Sequence, residues 1–499
     1  MKMLFRMIIP AFPRVNIFSH QAKRTTALGP LMVATVANKL PGWTVEVIDE
    51  NNYKGGVPNH KKLQKDRPAM VVGFYCGLTS TMKRVWDLAK FYHDKGAFVV
   101  AGGWHAHYCP EETLNHHIDV VVHGDGEEAI VQLLNAFSQS EIMSKVGTIP
   151  GISFFRNGEF SQNGPKRREV VDLDDLPFPD FGLLRKANLK VYPIGRIRGC
   201  NQGCEFCSVK GTPRWAGAEH LFETVVHLIE TRKAKRFFIV DDRLEGDPEG
   251  TKKFFELVAE KYGAILRFTV QVRLDLAENA ELMEIMRSAG VRIVCVGVES
   301  PIDEDLQSMR KGYSSEKMID WIKVLRGYFW VHSMFIVGYP SRVLGAKLSS
   351  SEIVRRFRKF VCKSGSDSIQ VMLPGPGVGT GLRRRLEKAD RLFPLEVVGW
   401  DKYDGGYVCF RPDNMDVRSL QEIPLKIMSR FYNFGNFLKI PFRTIALPGY
   451  YFLRGWSDWL RRWSQDLTRA GGHLLVQRRK EQEGAENHVV RIENYLKSK

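Results

Sequence analysis

Arg196-Ile197-Arg198-Gly199-Cys200-Asn201-Gln202-Gly203-Cys204-Glu205-Phe206-Cys207 sets three cysteines in a Cys-x3-Cys-x2-Cys spacing. Three thiolates on one loop can hold three irons of a cubane 4Fe–4S cluster. A ferredoxin supplies a fourth cysteine, but here Cys76, Cys109, Cys295, Cys362 and Cys409 are isolated along the chain. The loop therefore leaves one iron open to an outside ligand. Gly199 and Gly203 let the backbone wrap closely around such a group. The competing reading is a structural zinc site completed by a distant histidine such as His220. Eight cysteines in 499 residues are too few for a disulfide framework and suit a reducing compartment.

Outward from this loop the chain alternates between strand and helix patterns. After it, the apolar runs Arg236 to Asp241, Leu266 to Arg273, Val291 to Glu299, Phe329 to Gly338 and Asp367 to Leu373 read as strands, with Pro193 to Arg198 before them. Helical spacing fills the gaps: Glu219 to Arg232, Thr251 to Tyr262, Glu278 to Ala289, Ser314 to Arg326 and Ser350 to Cys362. Six such units are fewer than the eight of a closed barrel. Before the loop, Lys2 to Ile9, Thr44 to Ile48, Ala69 to Phe74, Phe98 to Ala101 and Ile118 to Val122 are short Val- and Ile-rich runs. They alternate with helices at Leu31 to Leu40, Met82 to Lys95 and Glu127 to Phe137, the pattern of a doubly wound parallel sheet.

In both architectures function sits at the C-terminal ends of the strands. In the N-terminal sheet those ends carry Gly77-Leu78-Thr79-Ser80, Gly102-Gly103-Trp104-His105 and Gly124-Asp125-Gly126-Glu127. Three glycine loops on one edge let a ligand approach the backbone. In the second domain the strand ends carry Asp241 and Asp242, Arg273, Glu299, Gly338 and the loop Pro374-Gly375-Pro376-Gly377-Val378-Gly379-Thr380. Carboxylates, a cation and small residues together suit a zwitterionic adenosyl ligand. Ion pairs that merely brace the barrel rim would give the same pattern.

Two resemblances follow. The cysteine loop, with Phe206 before its last cysteine, resembles the radical S-adenosylmethionine (SAM) signature. Val72-Gly73, Thr79-Ser80, Ala101-Gly102-Gly103-Trp104-His105, Pro110-Glu111-Glu112 and Gly124-Asp125-Gly126-Glu127 resemble the cobalamin-binding domain of cobalamin-dependent radical SAM enzymes. Asp125 stands where that family has Glu. No Asp-x-His-x-x-Gly motif is present, so the resemblance implies no protein histidine on cobalt and makes His105 a corrin contact. His116, His117 and His123 read as surface or structural. Val240-Asp241-Asp242 replaces the Gly-Gly-Glu of many radical enzymes, as in cobalamin-dependent members. The resemblance implies metal ligands Cys200, Cys204 and Cys207. It implies cofactor contacts at Phe206, Asp241, Asp242, Arg273, Glu299 and Gly338, and at Gly29, Thr79, Ser80, Gly102, Gly103, His105, Gly124, Gly126 and Glu127.

The implied architecture is α/β: a Rossmann-like cobalamin domain over 1–145, a hairpin and linker over 146–190, a partial (β/α)6 barrel over 191–385 and a mainly helical region over 386–499. The implied cofactors are a 4Fe–4S cluster, S-adenosylmethionine and cobalamin. The implied chemistry cleaves SAM to a 5′-deoxyadenosyl radical that abstracts hydrogen from an unactivated carbon, followed by methyl transfer from methylcobalamin. Cyclisation or oxidation without methyl transfer, and a non-catalytic iron–sulfur or cobalamin regulator, are the alternatives. An electron donor such as flavodoxin or ferredoxin is implied as partner, with a small-molecule, lipid-like or peptide substrate.

Composition frames these readings. The chain is 44% hydrophobic and 26% charged, which excludes a disordered or fibrous chain. Net charge is +17, and from Arg418 to Lys499 fifteen Lys and Arg face seven Asp and Glu. No apolar run is long enough to span a bilayer, and Met1 to Pro13 is too short and interrupted for a signal peptide. A cytoplasmic protein is expected. Gly399 to Val408, with Tyr403 and Tyr407, either lines a substrate channel or packs on the barrel. Tyr450 to Leu475 carries Tyr451, Phe452, Leu453, Trp456, Trp459, Leu460, Trp463 and Leu467 with Arg454, Arg461, Arg462 and Arg469. This helix either lies on a membrane interface or covers the protein's own core. No nucleic-acid recognition module is visible.

Overall fold

Runs of Val and Ile pack best when both faces of a sheet are covered, and the first five strands do this. A computed structural model describes residues 2–13, 22–164, 171–341, 348–445, 447–480 and 483–499. It divides into two units, Met1–Asn201 with Ser208–Phe268 and Gly377–Arg383, and Gln202–Cys207 with Thr269–Pro376 and Arg384–Lys499.

In the first unit, β1 (Met3–Ile9), β2 (Trp43–Asp49), β3 (Val71–Tyr75), β4 (Phe98–Gly102) and β5 (Val120–Val122) are parallel in the order β2-β1-β3-β4-β5. All lie within two residues of the sequence expectation. Arg6, inside β1, is fully buried and donates to Glu46 at 2.7 Å and Gln64 at 2.9 Å. A charge survives there only because it is paired and hydrogen-bonded. The helices are α1 (Leu28–Ala37), α2 (Met82–His93) and α3 (Glu127–Ser138). Helix α1 starts three residues before the expected Leu31. Pro30 falls in the first turn, where proline is tolerated because its missing N–H has no helical partner anyway. Strands β6 (Ile152–Arg156) and β7 (Glu159–Asn163) form the expected hairpin, antiparallel, on the β5 edge of the same sheet. Its turn residues Asn157 and Gly158 have φ of 52° and 83°, as a type I′ turn requires.

The second sheet contains β8 (Tyr192–Ile194), β11 (Arg236–Ile239), β12 (Arg267–Val272), β13 (Val291–Glu299), β14 (Trp330–Ile336) and β15 (Ser368–Met372), in that order. The expected strand Pro193 to Arg198 is split. Asp241 Oδ1 accepts the amides of Arg196 at 2.7 Å and Ile197 at 2.9 Å, which takes them out of the ladder. The chain resumes as β9 (Ile197–Arg198), paired antiparallel with β10 (Arg214–Trp215). Helices α4 (Ala218–Arg232), α5 (Pro248–Tyr262), α6 (Ala280–Ser288), α7 (Ser315–Tyr328) and α8 (Ser350–Ser364) alternate with the strands. Asp247, Asn279, Ser314 and Ser349 cap α5 to α8 through side-chain oxygens.

The C-terminal part is helical: α9 (Val417–Phe431), α10 (Gly435–Ile445), α11 (Leu447–Lys480), which breaks at Gly455, and α12 (Glu483–Lys497). The side chains of Tyr450, Tyr451, Phe452, Leu453, Arg454 and Leu475 lie outside the described residues. On α11, Arg461 pairs with the fully buried Asp367 ahead of β15 and donates to Phe329 O at 2.8 Å. Arg469 lies over the Phe431 ring at 4.5 Å. Two of the arginines thus turn inward. Among the described residues no helix is long and apolar enough to cross a membrane.

Candidate functional site

In the first unit a cavity of about 590 Å³ lies at the C-terminal ends of β3, β4 and β5. Gly29, Gly102 and Gly103 line it, as do Gly124, Gly126 and Glu127. Asp241 and Asp242, after β11, complete the wall. The glycines differ in their reason for being glycine. A Cβ on Gly29 would have no heavy atom within 4 Å, so this residue leaves space open. Gly103 has φ of +114°, and its Cβ would lie 2.8 Å from the Cys76 and Gly77 backbone. That position is fixed by the neighbouring chain, whatever the cavity holds.

Thr79, Ser80 and His105 are buried but are not among the lining residues. His105 Nδ1 is 3.3 Å from Thr79 Oγ1, and Nε2 is 3.4 Å from Glu112 Oε2. This arrangement orders the loop after β4. Cys109 joins them: the ligand atoms of His105, Cys109 and Glu112 all lie within 4.8 Å of one another. The helical spacing His-x3-Cys-x2-Glu was the signal for this grouping. At the surface, His117 is similarly grouped with His93 and Asp94.

The acids at the cavity wall brace the chain leading to the first cysteine. Arg198 pairs with Asp125 at 3.1 Å and Glu127 at 2.7 Å, and Arg214 also pairs with Asp125. Asp242 Oδ2 accepts the Gly199 amide at 2.7 Å. Asp241 spends Oδ1 on two amides, whereas its buried Oδ2 has no hydrogen-bond partner among the described residues. Burial pushes the Asp241 carboxyl up to about 6, against the opposing hydrogen bonds to Oδ1. An acid whose folded pKa exceeds its unfolded value of 3.8 loses stability as pH rises from about 4 to about 6. Asp241→Asn cannot titrate. The melting temperature of the ligand-free variant, minus that of wild type, should therefore increase across that window. A difference that is flat with pH would show that Asp241 is solvated.

In the second unit, Cys204 and Cys207 sit on one turn, with the Cys207 amide 3.3 Å from Cys204 O. Glu205 between them is a buried anchor that the sequence reading did not single out. It accepts from Arg385 at 2.8 and 2.9 Å and from Tyr339 Oη at 2.7 Å. Burial, then the Glu205 carboxylate, push the Tyr339 hydroxyl above its ordinary range. Phe206 meets Tyr339 edge to face at 6.3 Å. None of the eight cysteines is in a disulfide.

Around this turn the structure gathers Arg273, Glu299 and a cation absent from the sequence reading, Lys311. Arg273 donates to Gln202 Oε1 at 3.0 Å, pairs with Asp275 and lies 5.8 Å from the Tyr313 ring. Lys311 Nζ is 3.0 Å from Glu299 Oε1 and 5.9 Å from the Phe206 ring. Burial opposes its charge, but Glu299, with Tyr313 and Cys204, overrides burial and raises its pKa. Glu299 has φ of 63° at a register shift in β13, a strained backbone of the kind that clusters at functional sites. A Cβ on Gly297 would come 2.4 Å from Glu299 Oε1 in this arrangement. Gly338 lies elsewhere, on a small cavity of about 60 Å³ with Asp305 and Asp413, where a Cβ would strike Leu420. Tyr403 and Tyr407 are buried; Tyr407 packs edge-on against His488 at 5.2 Å. This favours the packing role for that segment.

Two family models match. The B12 binding domain covers residues 19–134 and the radical SAM superfamily covers 194–343. An uncharacterised methyltransferase of Pyrococcus horikoshii is 28% identical over 345 residues, 66% of this chain and 72% of that protein. The hopanoid C-2 methylase of Rhodopseudomonas palustris is 23% identical over 412 residues, 78% of this chain and 71% of that protein. Among solved structures, the cobalamin-dependent radical SAM enzyme OxsB, with aqua-cobalamin and S-adenosylmethionine bound, superposes with a TM-score of 0.66 at 14% identity, covering 99% of this chain and 75% of its own. The residues fit the cofactors these matches carry. A cavity with bare glycine walls and an unsatisfied carboxylate oxygen suits an amide-rich ligand, and three cysteines on one loop, none in a disulfide, suit an iron–sulfur cluster. With a B12 binding domain and a radical SAM domain in one chain, the protein has the two-domain make-up of a cobalamin-dependent radical S-adenosylmethionine enzyme, which brings a 4Fe–4S cluster, S-adenosylmethionine and cobalamin as its cofactors.

Proposed function

We propose that this enzyme methylates an unactivated carbon of a bulky, largely apolar small molecule. Together the three bound cofactors supply reductive cleavage of S-adenosylmethionine, hydrogen abstraction and a transferable methyl group. The chain's part is to bind, orient and exclude water. Cys200, Cys204 and Cys207 would hold the cluster, and the ion pair of buried Glu205 with half-buried Arg385 fixes the turn that carries two of them. Arg273 and Lys311 offer cations to the carboxylate of S-adenosylmethionine, and Glu299 offers a carboxylate to its ammonium. The gathering of Lys311, Glu299 and Arg273 around Cys204 and Phe206 carries this reading. The hopanoid methylase among the relatives supports an apolar substrate. A small one-electron carrier such as flavodoxin or ferredoxin supplies the electrons.

The test is anaerobic reconstitution with methyl-labelled S-adenosylmethionine and mass analysis of products from candidate apolar substrates. Label in the product supports methyl transfer. A cyclised or oxidised product without label would replace it with the cobalamin-assisted alternative. Lys311→Met is expected to weaken S-adenosylmethionine binding by roughly ten- to a hundredfold, the value of one charge-assisted hydrogen bond to a buried ligand. Iron content should be retained. Titration normalised to iron checks this; unchanged affinity would make Lys311 only a partner of Glu299.

A further inference from the structure

Apolar side chains at helical spacing normally face a core, yet α10 turns its apolar stripe outward. Phe434, just before it, and Phe437, Leu438, Phe442 and Ile445 are all exposed, Phe442 at 72% and Ile445 at 79%. Helix α11 runs antiparallel beside it: Phe434 lies by His473 at 6.3 Å, while Trp459 Nε1 donates to Arg443 O at 2.8 Å. Along α11, Leu460, Leu467 and Leu474 recur every seven residues, with Trp456 one turn ahead, and these are exposed too. The buried Trp459, Gln465 and Asp466 and the inward Arg461 occupy other faces of the helix. The two helices therefore form a hairpin whose inner faces are packed and which still exposes two apolar stripes. Exposed apolar patches of this extent mark an interaction surface.

Charge identifies the occupant. Residues 430–480 contain ten Lys and Arg against two Asp and Glu. Arg461 and Arg469 turn inward, whereas Arg430 and Lys439 are exposed. A second copy of this chain would set like charge against like charge. An anionic lipid surface accepts apolar side chains at its acyl boundary and cations at its headgroups. We propose that the α10–α11 hairpin docks the enzyme on anionic membrane surfaces, with Phe442, Ile445 and Trp456 inserted. The expected helix at Tyr450 to Leu475 is thus only half of the surface; the more exposed half is α10.

The experiment is flotation of the full reconstituted chain with phosphatidylcholine vesicles, with and without phosphatidylglycerol, alongside light scattering for mass in solution. Wild type should float with phosphatidylglycerol vesicles. Phe442→Glu with Ile445→Glu should weaken this by roughly a hundredfold or more, since each removed apolar anchor is worth about tenfold. Melting temperature and iron content should not change, because both side chains are already exposed. Brominated lipid should quench wild-type fluorescence more than that of Trp456→Phe. Three outcomes would overturn the proposal: wild type that does not float, flotation unaffected by the double substitution, or a wild-type dimer that the same substitutions dissociate.

Discussion

Replacing Cys200, Cys204 or Cys207 by alanine is expected to abolish cluster binding and 5′-deoxyadenosine formation, each alone. The reason is a ligand count. On the proposed assignment three thiolates would hold a four-iron cluster, and no other cysteine belongs to that loop. Losing one exposes a second iron and breaks the cage, so the loss should be near complete. Cys295→Ala and Cys362→Ala are the controls. Burial pushes the Cys295 thiol up to about 12, so it is inert, and Cys362 is on the surface. Both variants should retain iron and turnover. Iron assay, the cluster's visible absorption and product chromatography read the result. A variant of the triad that kept a full cluster and cleaved S-adenosylmethionine would remove the assignment. A structural zinc site would instead give tight zinc retention and no iron in the wild type.

The strand pattern and the cysteine spacing were legible in the sequence because each is local. Strands follow from short β-branched runs, and Cys-x3-Cys-x2-Cys needs no tertiary information. What escaped was what only packing decides. Pro193 to Arg198 reads as one strand, but a carboxylate from Asp241, over forty positions away, breaks it. Lys311 has no motif; it matters because burial and Glu299 place it by the Phe206 ring. Glu205 reads as a variable residue inside a motif, yet it anchors that motif. Gly103 was legible as glycine, but the sequence does not show that the Cys76–Gly77 backbone by itself already excludes a side chain there. The amphipathic helix had the right composition, but composition cannot say which arginines turn inward to Asp367.

Gly29→Leu is expected to weaken cobalamin binding by roughly ten- to a hundredfold or more while leaving the ligand-free protein as stable or more so. The two effects separate because of where Gly29 sits. It is in the first turn of α1, at a φ any residue adopts, with no atom within 4 Å of a new Cβ. Leucine is a better helix former than glycine by up to about 1 kcal/mol, so the ligand-free melting temperature should hold or rise. The same side chain projects into the cavity of about 590 Å³ that Gly29 lines. Overfilling a site by several methylenes costs about 1–3 kcal/mol or more, a loss of roughly ten- to a hundredfold or greater in affinity. Gly103→Leu cannot make this test, because it would collide with backbone and unfold the loop. Thr79→Val and Ser80→Ala provide the contrast. Both were candidates for ligand contact, but neither lines the cavity, so affinity should change little. Titration of each variant with hydroxocobalamin, followed by absorption, decides. If Gly29→Leu bound cobalamin as wild type does while Thr79→Val or Ser80→Ala did not, the ligand would lie over the loop after β3, outside the cavity.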